Sequence, residues 1–374
     1  MRCGLCGKTY TASPGAGVRK YDAALKTQLA IFKNYLGLPF HRIAKMQKML
    51  GVPLPASTQF ELTESLANEI HILYKTLMQL AAQGNCIAYD DTWVRILSCM
   101  KENKKNPDRD RKGMQTTAIL ATVGIHQIAL FLTGRQHAGE NMNDLLRRRA
   151  SSLPPPICMS DALSCNNLLD EFNTIDSRCL SHGRRKFHEI RDYFQEPCAI
   201  VLDTLALVYH YESITKAEKM TPQERLHYHQ THSAPLMSSL KEWINNQLGG
   251  KKVEPNSSLG KALRYMQNHW VGLTKFLSVE GGILDNNDCE RIIKAIIVCR
   301  KNSLFYKTEH GAYIGCILTS IIETCVLAKE NPFHYLVSLQ NNRKDLVKNP
   351  HLWLPWTYRQ QLELIESVVK AKAA

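Results

Sequence analysis

The sequence is poor in long apolar runs. Stretches such as 199–208 are broken by Asp203 and fall short of the ~20 residues that a membrane span requires. The opening residues Met-Arg-Cys-Gly-Leu-Cys lack the apolar segment of a signal peptide, so a cytoplasmic location is expected and no membrane partner. No internal repeat or low-complexity tract is present, which argues against a solenoid or a disordered tail. The histidines show no paired metal-ligand spacing beside an acid, which argues against a zinc hydrolase. Acids are also scarce: Asp+Glu number 34 against Lys+Arg 47, a net charge of +13. Such a surplus favours polyanions, because each neutralised phosphate releases counterions. Nucleic acid and an anionic membrane surface both fit the charge, and a merely basic enzyme is the bland alternative.

What is present is otherwise ordinary for a globular protein. The 374 residues suffice for two or three domains, with 44% hydrophobic and 22% charged residues. There are twelve cysteines, most of them scattered through hydrophobic segments, where reduced, buried thiols are expected.

Along the chain the texture changes twice. From Tyr21 to about Ala82, apolar residues recur at three- and four-residue steps, broken by Gly51-Val52-Pro53-Leu54-Pro55. Short helices follow, with Arg19, Lys20, Lys26, Lys33, Arg42, Lys45 and Lys48 on polar faces that could dock on DNA or simply face solvent. Cys86–Leu97, Gln115–Ile125 and Gln127–Leu132 read as strands, with Lys101–Lys112 as an exposed hairpin loop between the first two. Ile157–Met159 reads as a short buried strand ending at Asp161. Beyond Arg184 helices dominate, including Pro222–Leu248, Leu259–Leu277 and one beginning near Asp288. The expected fold class is α/β, a mixed sheet with flanking helices.

Asp90-Asp91 interrupts an otherwise apolar strand, a costly placement unless the carboxylates are paired or bind metal. Asp161 closes a short strand and could alternatively form an Asx-turn. Glu290 opens a helix and stands three residues after Asn287, the spacing of a capping box. Carboxylates brought from separate elements to one point suit hard divalent ions and phosphoryl transfer. No spacing rule joins these three.

A resemblance does. Leu284-Asp285-Asn286-Asn287-Asp288-Cys289-Glu290-Arg291, followed by Arg300-Lys301-Asn302-Ser303-Leu304-Phe305, His310-Gly311-Ala312 and Ile321-Ile322-Glu323-Thr324, resembles the C-terminal signature of insertion-sequence-66 family transposases. Cys179-Leu180-Ser181-His182-Gly183-Arg184-Arg185-Lys186-Phe187 resembles a second block, Tyr89-Asp90-Asp91-Thr92 a third, and Leu36–Arg42 with Gly51–Leu54 the N-terminal helical region. The order of the blocks is the family's own over nearly the whole chain.

The resemblance implies an RNase H-like core with a helical insertion before the last acid. By position it makes Asp90, Asp161 and Glu290 the catalytic, metal-binding residues of a DDE transposase. It also implies two Mg2+ ions (Mn2+ substituting), double-stranded DNA as transposon ends and target, a homo-oligomer on that DNA, and a bacterial, nucleoid-associated setting. Asp91 stands where the family usually has another acid. Ala162-Leu163-Ser164 departs from the Gly-Tyr common after the second Asp. The expected organisation is a partial zinc-ribbon-like segment over 1–20, a helical DNA-binding region over 21–82, and a catalytic core over 83–190 and 278–330. A helical insertion over 191–277 and a C-terminal helical tail over 331–374 complete it. Cys3 and Cys6 resemble the second half of a zinc module whose first pair lies upstream, so zinc is expected there only with those partners supplied, and a shortened chain is one reading. DNA contacts are expected from His182, Arg184, Arg185 and Lys186, and from Arg291, Arg300 and Lys301. The rival expectations are a non-catalytic, truncated DNA-binding remnant and an RNase H-like nuclease.

Overall fold

The computed structural model describes residues 21–108, 111–250 and 252–373, with side chains as far as Val368. The Cys3/Cys6 pair and its zinc expectation lie outside the described residues, as do Arg19 and Lys20.

The chain opens with three helices, α1 (Ala23–Asn34), α2 (Phe40–Met49) and α3 (Ala56–Ala81). The α1–α2 turn needs Gly37: its φ is +69°, and an added Cβ would lie 3.3 Å from the Cys299 backbone. The basic faces divide. Arg42, Lys45 and Lys48 on α2 are exposed. Lys26, however, is buried in an ion pair with Glu69 at 2.8 Å, and Lys33 donates to Ser303 Oγ at 2.8 Å. Both lysines make contacts within the fold, and Lys26 is too buried to reach a phosphate.

Strand β1 (Cys86–Trp93) leads through α4 (Leu97–Lys105) to β2 (Gln115–Val123) and β3 (His126–Gly134). Then come α5 (Ala138–Leu146), β4 (Ile157–Ser160) and β5 (Ile175–Arg178). The five strands form a mixed sheet in the order β3-β2-β1-β4-β5, antiparallel from β1 to β3 and parallel from β1 through β4 to β5. This is the α/β arrangement expected from the sequence.

Three details correct the sequence reading. β1 stops at Trp93, not Leu97, because Arg95 and Leu97 bond instead to the Tyr306 backbone. The supposed hairpin loop begins with α4, anchored by the buried Cys99. β5 is a strand that the sequence did not announce, since its four residues, Ile-Asp-Ser-Arg, carry little apolar signal.

After β5 come α6 (Leu180–Ile190), α7 (Gln195–Ala217), α8 (Pro222–Gly249), α9 (Ser258–Asn268) and α10 (Trp270–Leu273). The single helix expected over Leu259–Leu277 is interrupted at His269 and Thr274. These helices share a core of their own that includes Leu205, Met237, Leu240, Leu263 and Met266. The chain then returns to the sheet with α11 (Asn287–Ser303) and α12 (Glu309–Leu327), and ends with α13 (Pro332–Asn341), α14 (Arg343–Lys348) and α15 (Tyr358–Ala373).

Strand alternation sorts the side chains. Ile87 and Tyr89 join a core with α3, α5 and α12, whereas Ala88 joins Ile292, Ile293 and Ile296 of α11. Asp90 therefore belongs to the α11 side and Asp91 to the α5 side. Helix α12 covers the β3 edge: the Ala129 and Phe131 amides donate to Thr324 Oγ1 (3.1 Å) and Ser320 Oγ (2.9 Å), leaving fewer ladder groups open to another chain. The sequence reading missed that α12, at 19 residues, is long and apolar enough to cross a membrane; most of it is buried inside this fold.

Candidate active site

Asp90 sits near the end of β1, half-buried on the α11 side. Its Oδ1 accepts the Asp91 amide at 2.8 Å. Burial pushes its carboxyl up to about 7, and the charges of Asp161, Glu290 and Asp91 push the same way, against that one amide bond. The field of both other expected acids thus reaches Asp90, although they lie 71 and 200 positions further along the chain.

Asp161 follows β4 and is buried. Its Oδ1 accepts the Leu163 amide at 3.1 Å and the Asn166 side-chain amide. The Asx-turn is therefore real, but it engages one oxygen. Arg178, at the end of β5, fixes this strand end by donating to Ser160 Oγ (3.0 Å) and to the Asp161 carbonyl (2.8 Å).

Glu290 lies in the first turn of α11. The capping-box alternative fails: the N-cap is Asn286 and no side-chain cap bond is made. Glu290 instead points to α6, with Oε1 3.6 Å from His182 Nδ1 and Oε2 3.8 Å from Arg185 Nη2. Both distances exceed a hydrogen bond, and Glu290 Oε1 and His182 Nδ1 are buried without partners. A buried, unsatisfied carboxylate oxygen is costly and fits a site built to take a cation.

One residue ties these elements together. Asn286, 1% exposed, donates from Nδ2 to the Tyr89 carbonyl at 3.1 Å. Its amide donates to Cys179 Sγ at 3.3 Å, and its carbonyl accepts from the Glu290 amide at 2.9 Å. It thereby links the residue before Asp90, the start of α6 and the turn that carries Glu290. Sequence reasoning quoted Asn286 within a motif and gave it no role. Arg178 and Asn166 were missed entirely; the only signal was Asn166's position five residues after Asp161.

Asp91, left open by the sequence, is fully engaged elsewhere. Its Oδ1 accepts from Thr117 Oγ1 at 2.6 Å and its Oδ2 from the Ala138 amide at 2.7 Å, at the start of α5. It faces away from Glu290 and binds β2 and α5 to β1.

The expected DNA contacts scatter. His182 and Arg185 approach Glu290. Arg184 is exposed beside them. Lys186 turns to the Tyr265 ring, 4.5 Å from its centroid. Arg291 forms an exposed ion pair with Asp288 and does not orient Glu290. Arg300 donates to Thr92 Oγ1 and the Trp93 carbonyl, both at 2.8 Å, and Lys301 is exposed.

Among the described residues, one group of donors lies close enough together to hold a metal as placed. Cys179, His182 and Glu290 offer ligand atoms within 4.8 Å of one another. Burial pushes the Cys179 thiol up to about 12, however, and the thiol already accepts the Asn286 amide. Asp90, Asp161 and Glu290 offer carboxylate oxygens from three elements, the donor type of a hard divalent ion.

Residues 20–314 match the sequence pattern of the family described as Transposase IS66 family. The uncharacterized protein y4jD of Sinorhizobium fredii is 30% identical over 186 residues, covering 48% of this chain and 35% of that protein. The uncharacterized protein y4hP of the same organism is 26% identical over 194 residues, 49% of this chain and 35% of that protein. The matched part thus spans about a third of the length of these curated relatives.

Proposed function

The chain belongs to the IS66 family of transposases, and from that premise we propose that it cleaves transposon-end DNA and joins it to a target at one three-carboxylate site. What supports this reading is that the charges of Asp161 and Glu290 both act on Asp90, beside an unsatisfied Glu290 oxygen. Asp90, Asp161 and Glu290 would hold two Mg2+ ions, for which Mn2+ can substitute. When bound, such ions supply an activated attacking oxygen and stabilise the leaving one.

The protein's own residues position the reaction. Asn286 and Arg178 fix the strand ends and the α11 turn on which the acids stand. His182 and Arg185 lie close enough to Glu290 to hold a phosphate beside it, and Arg184 extends that basic edge. No protein nucleophile is required. The helices of 191–277 are read as an insertion beside the core segments 83–190 and 278–330, with 21–82 as the DNA-binding region, 331–374 as a tail, and a homo-oligomer as the assembled form on DNA.

Asp90→Asn should abolish Mg2+-dependent nicking of element-end DNA while leaving DNA binding largely intact. Cleavage retained in that variant sinks the assignment. An RNase H-like nuclease would share the acids and the nicking, so joining of a pre-cut 3′ end to a second duplex separates the two activities. Binding without nicking in either Mg2+ or Mn2+ would identify a non-catalytic protein.

A further inference from the structure

Trp93 ends β1 and is 53% exposed. The Arg300 guanidinium lies 4.2 Å from its ring centroid and that of Arg95 5.4 Å. Arg300 is already held by Thr92 Oγ1 and the Trp93 carbonyl, so its position does not depend on the indole. Arg95 and Arg300 line one small recess together with Leu304 and Phe305. Leu304 and Phe305 are 58% and 46% exposed, and Leu304 has a φ of +65°. Leu304 is the C-cap residue of α11, its amide bonded to the Arg300 carbonyl at 2.8 Å, and the turn it makes leaves its own side chain and that of Phe305 half exposed.

What sets this patch apart from the other exposed apolar residues is that its rings stand beside two guanidinium groups. Aromatic and guanidinium faces stack on unpaired bases, and the same cations hold the backbone phosphates. The distance to the acids is short. Three strand residues separate Asp90 from Trp93, roughly 10 Å, and ten helical residues separate Glu290 from Arg300, roughly 15 Å. At about 3.4 Å per nucleotide, the patch lies some three to four nucleotides from the acids.

We propose that Trp93, Arg95, Arg300 and Phe305 form a stacking site for an unpaired nucleotide of the DNA strand some three to four positions from the cleavage point. The site would prefer frayed or single-stranded flanks over closed duplex. It rests on the reading of the three acids as a DNA-processing site, but it makes a separate claim about binding.

The test is therefore run on the full chain with divalent metal removed. The probes are a blunt mixed-sequence duplex and the same duplex with a short single-stranded extension carrying 2-aminopurine. The expected result is about tenfold tighter binding of the extended probe and a change in 2-aminopurine fluorescence on binding. Trp93→Ala should lose both, Trp93→Phe should keep most of each, and Tyr193→Ala, at an exposed aromatic elsewhere, should change neither. Equal affinity for the two probes, or a preference intact in Trp93→Ala, overturns the proposal. Nicking by the parent protein bears only on the three-acid reading, so the two can fail independently.

Discussion

At the scale of single residues, Asp90 and Asp91 are neighbours with opposite environments. Asp90 ionises near 7 in the folded protein against an ordinary 3.8. Between those values the folded state keeps a proton that the unfolded chain has released. The stability of the metal-free protein should therefore fall as pH rises from about 4 to about 7 and stay low above that. Asp90→Asn should make the decline shallower, leaving the share of Glu323, whose carboxyl burial also pushes up to about 7, and Mg2+ at pH 8 should raise the Tm of the parent far more than that of the variant. Thermal melts across pH, with and without Mg2+, check both outcomes. Burial pushes the Asp91 carboxyl up as well, against its hydrogen bonds, but Asp91→Asn acts mainly on the fold. It weakens the bonds to Thr117 and Ala138, so a loss of about 1–3 kcal/mol is expected in denaturant unfolding. Any fall in cleavage should then follow the loss of folded protein.

At the scale of elements, α7 and α8 are joined by a buried charge network. Glu212 lies 2.8 Å from Arg225 and 3.0 Å from the fully buried His229. Burial pulls the Glu212 carboxyl up, but hydrogen bonds from His229 and Arg225, with the charges of Arg225 and Lys216, outweigh it and hold it at about 2. Its stabilising contribution is thus present above the ordinary value of 4.5 and is lost as pH falls towards 2. Glu212→Ala would leave Arg225 and His229 uncompensated, at a cost of about 3–5 kcal/mol, measurable by urea unfolding. Arg225 also donates to the Gly282 carbonyl, in the loop leading to α11, so the same variant should impair cleavage beyond its loss of stability.

Elements also show what was legible beforehand. β1, β2 and β3 were readable because β-branched and apolar residues cluster in them, and Asp90 because a carboxylate interrupted one such strand. β5 was not readable: four mostly polar residues become a strand only by pairing with β4. α4 was hidden by its charged residues, and its Cys99 anchor meets a partner, Glu309, 210 positions away. Of the candidate site, Glu290 was noticed at the start of a helix and given its role only by resemblance, since its neighbours come from α6. Arg178 and Asn286 act through backbone groups of strands remote in sequence, which periodicity cannot show. Lys26 and Lys33 were misread because a basic residue at a helix surface position carries no sign of whether another helix will cover it.

At the scale of the whole molecule, the excess of +13 is concentrated on no single element. Exposed cations on α2 (Arg42, Lys45, Lys48), α6 (Arg184, Arg185) and α11 (Lys301) give six candidate phosphate contacts. If all six engage, log affinity should fall against log salt with a slope of about −5. Changing the three α2 residues together to Gln should reduce the slope by about 3 with little change in Tm. Fluorescence anisotropy over a salt series measures it, and an unchanged slope would remove α2 from the interface.

The bond from Asn286 to the Tyr89 carbonyl spans 197 residues of sequence, and this sets when the site can exist. While the chain is being synthesised, β1 and β4 are available long before α11, so Asp90 and Asp161 spend that interval without Glu290 or its amide anchor. A closure this long is expected to come late in folding. A chain that stops short of α11 would hold two of the three proposed carboxylates and no complete site. On the proposed reading of the three acids, their order along the polypeptide acts as a timer that withholds a complete site until α11 has been made.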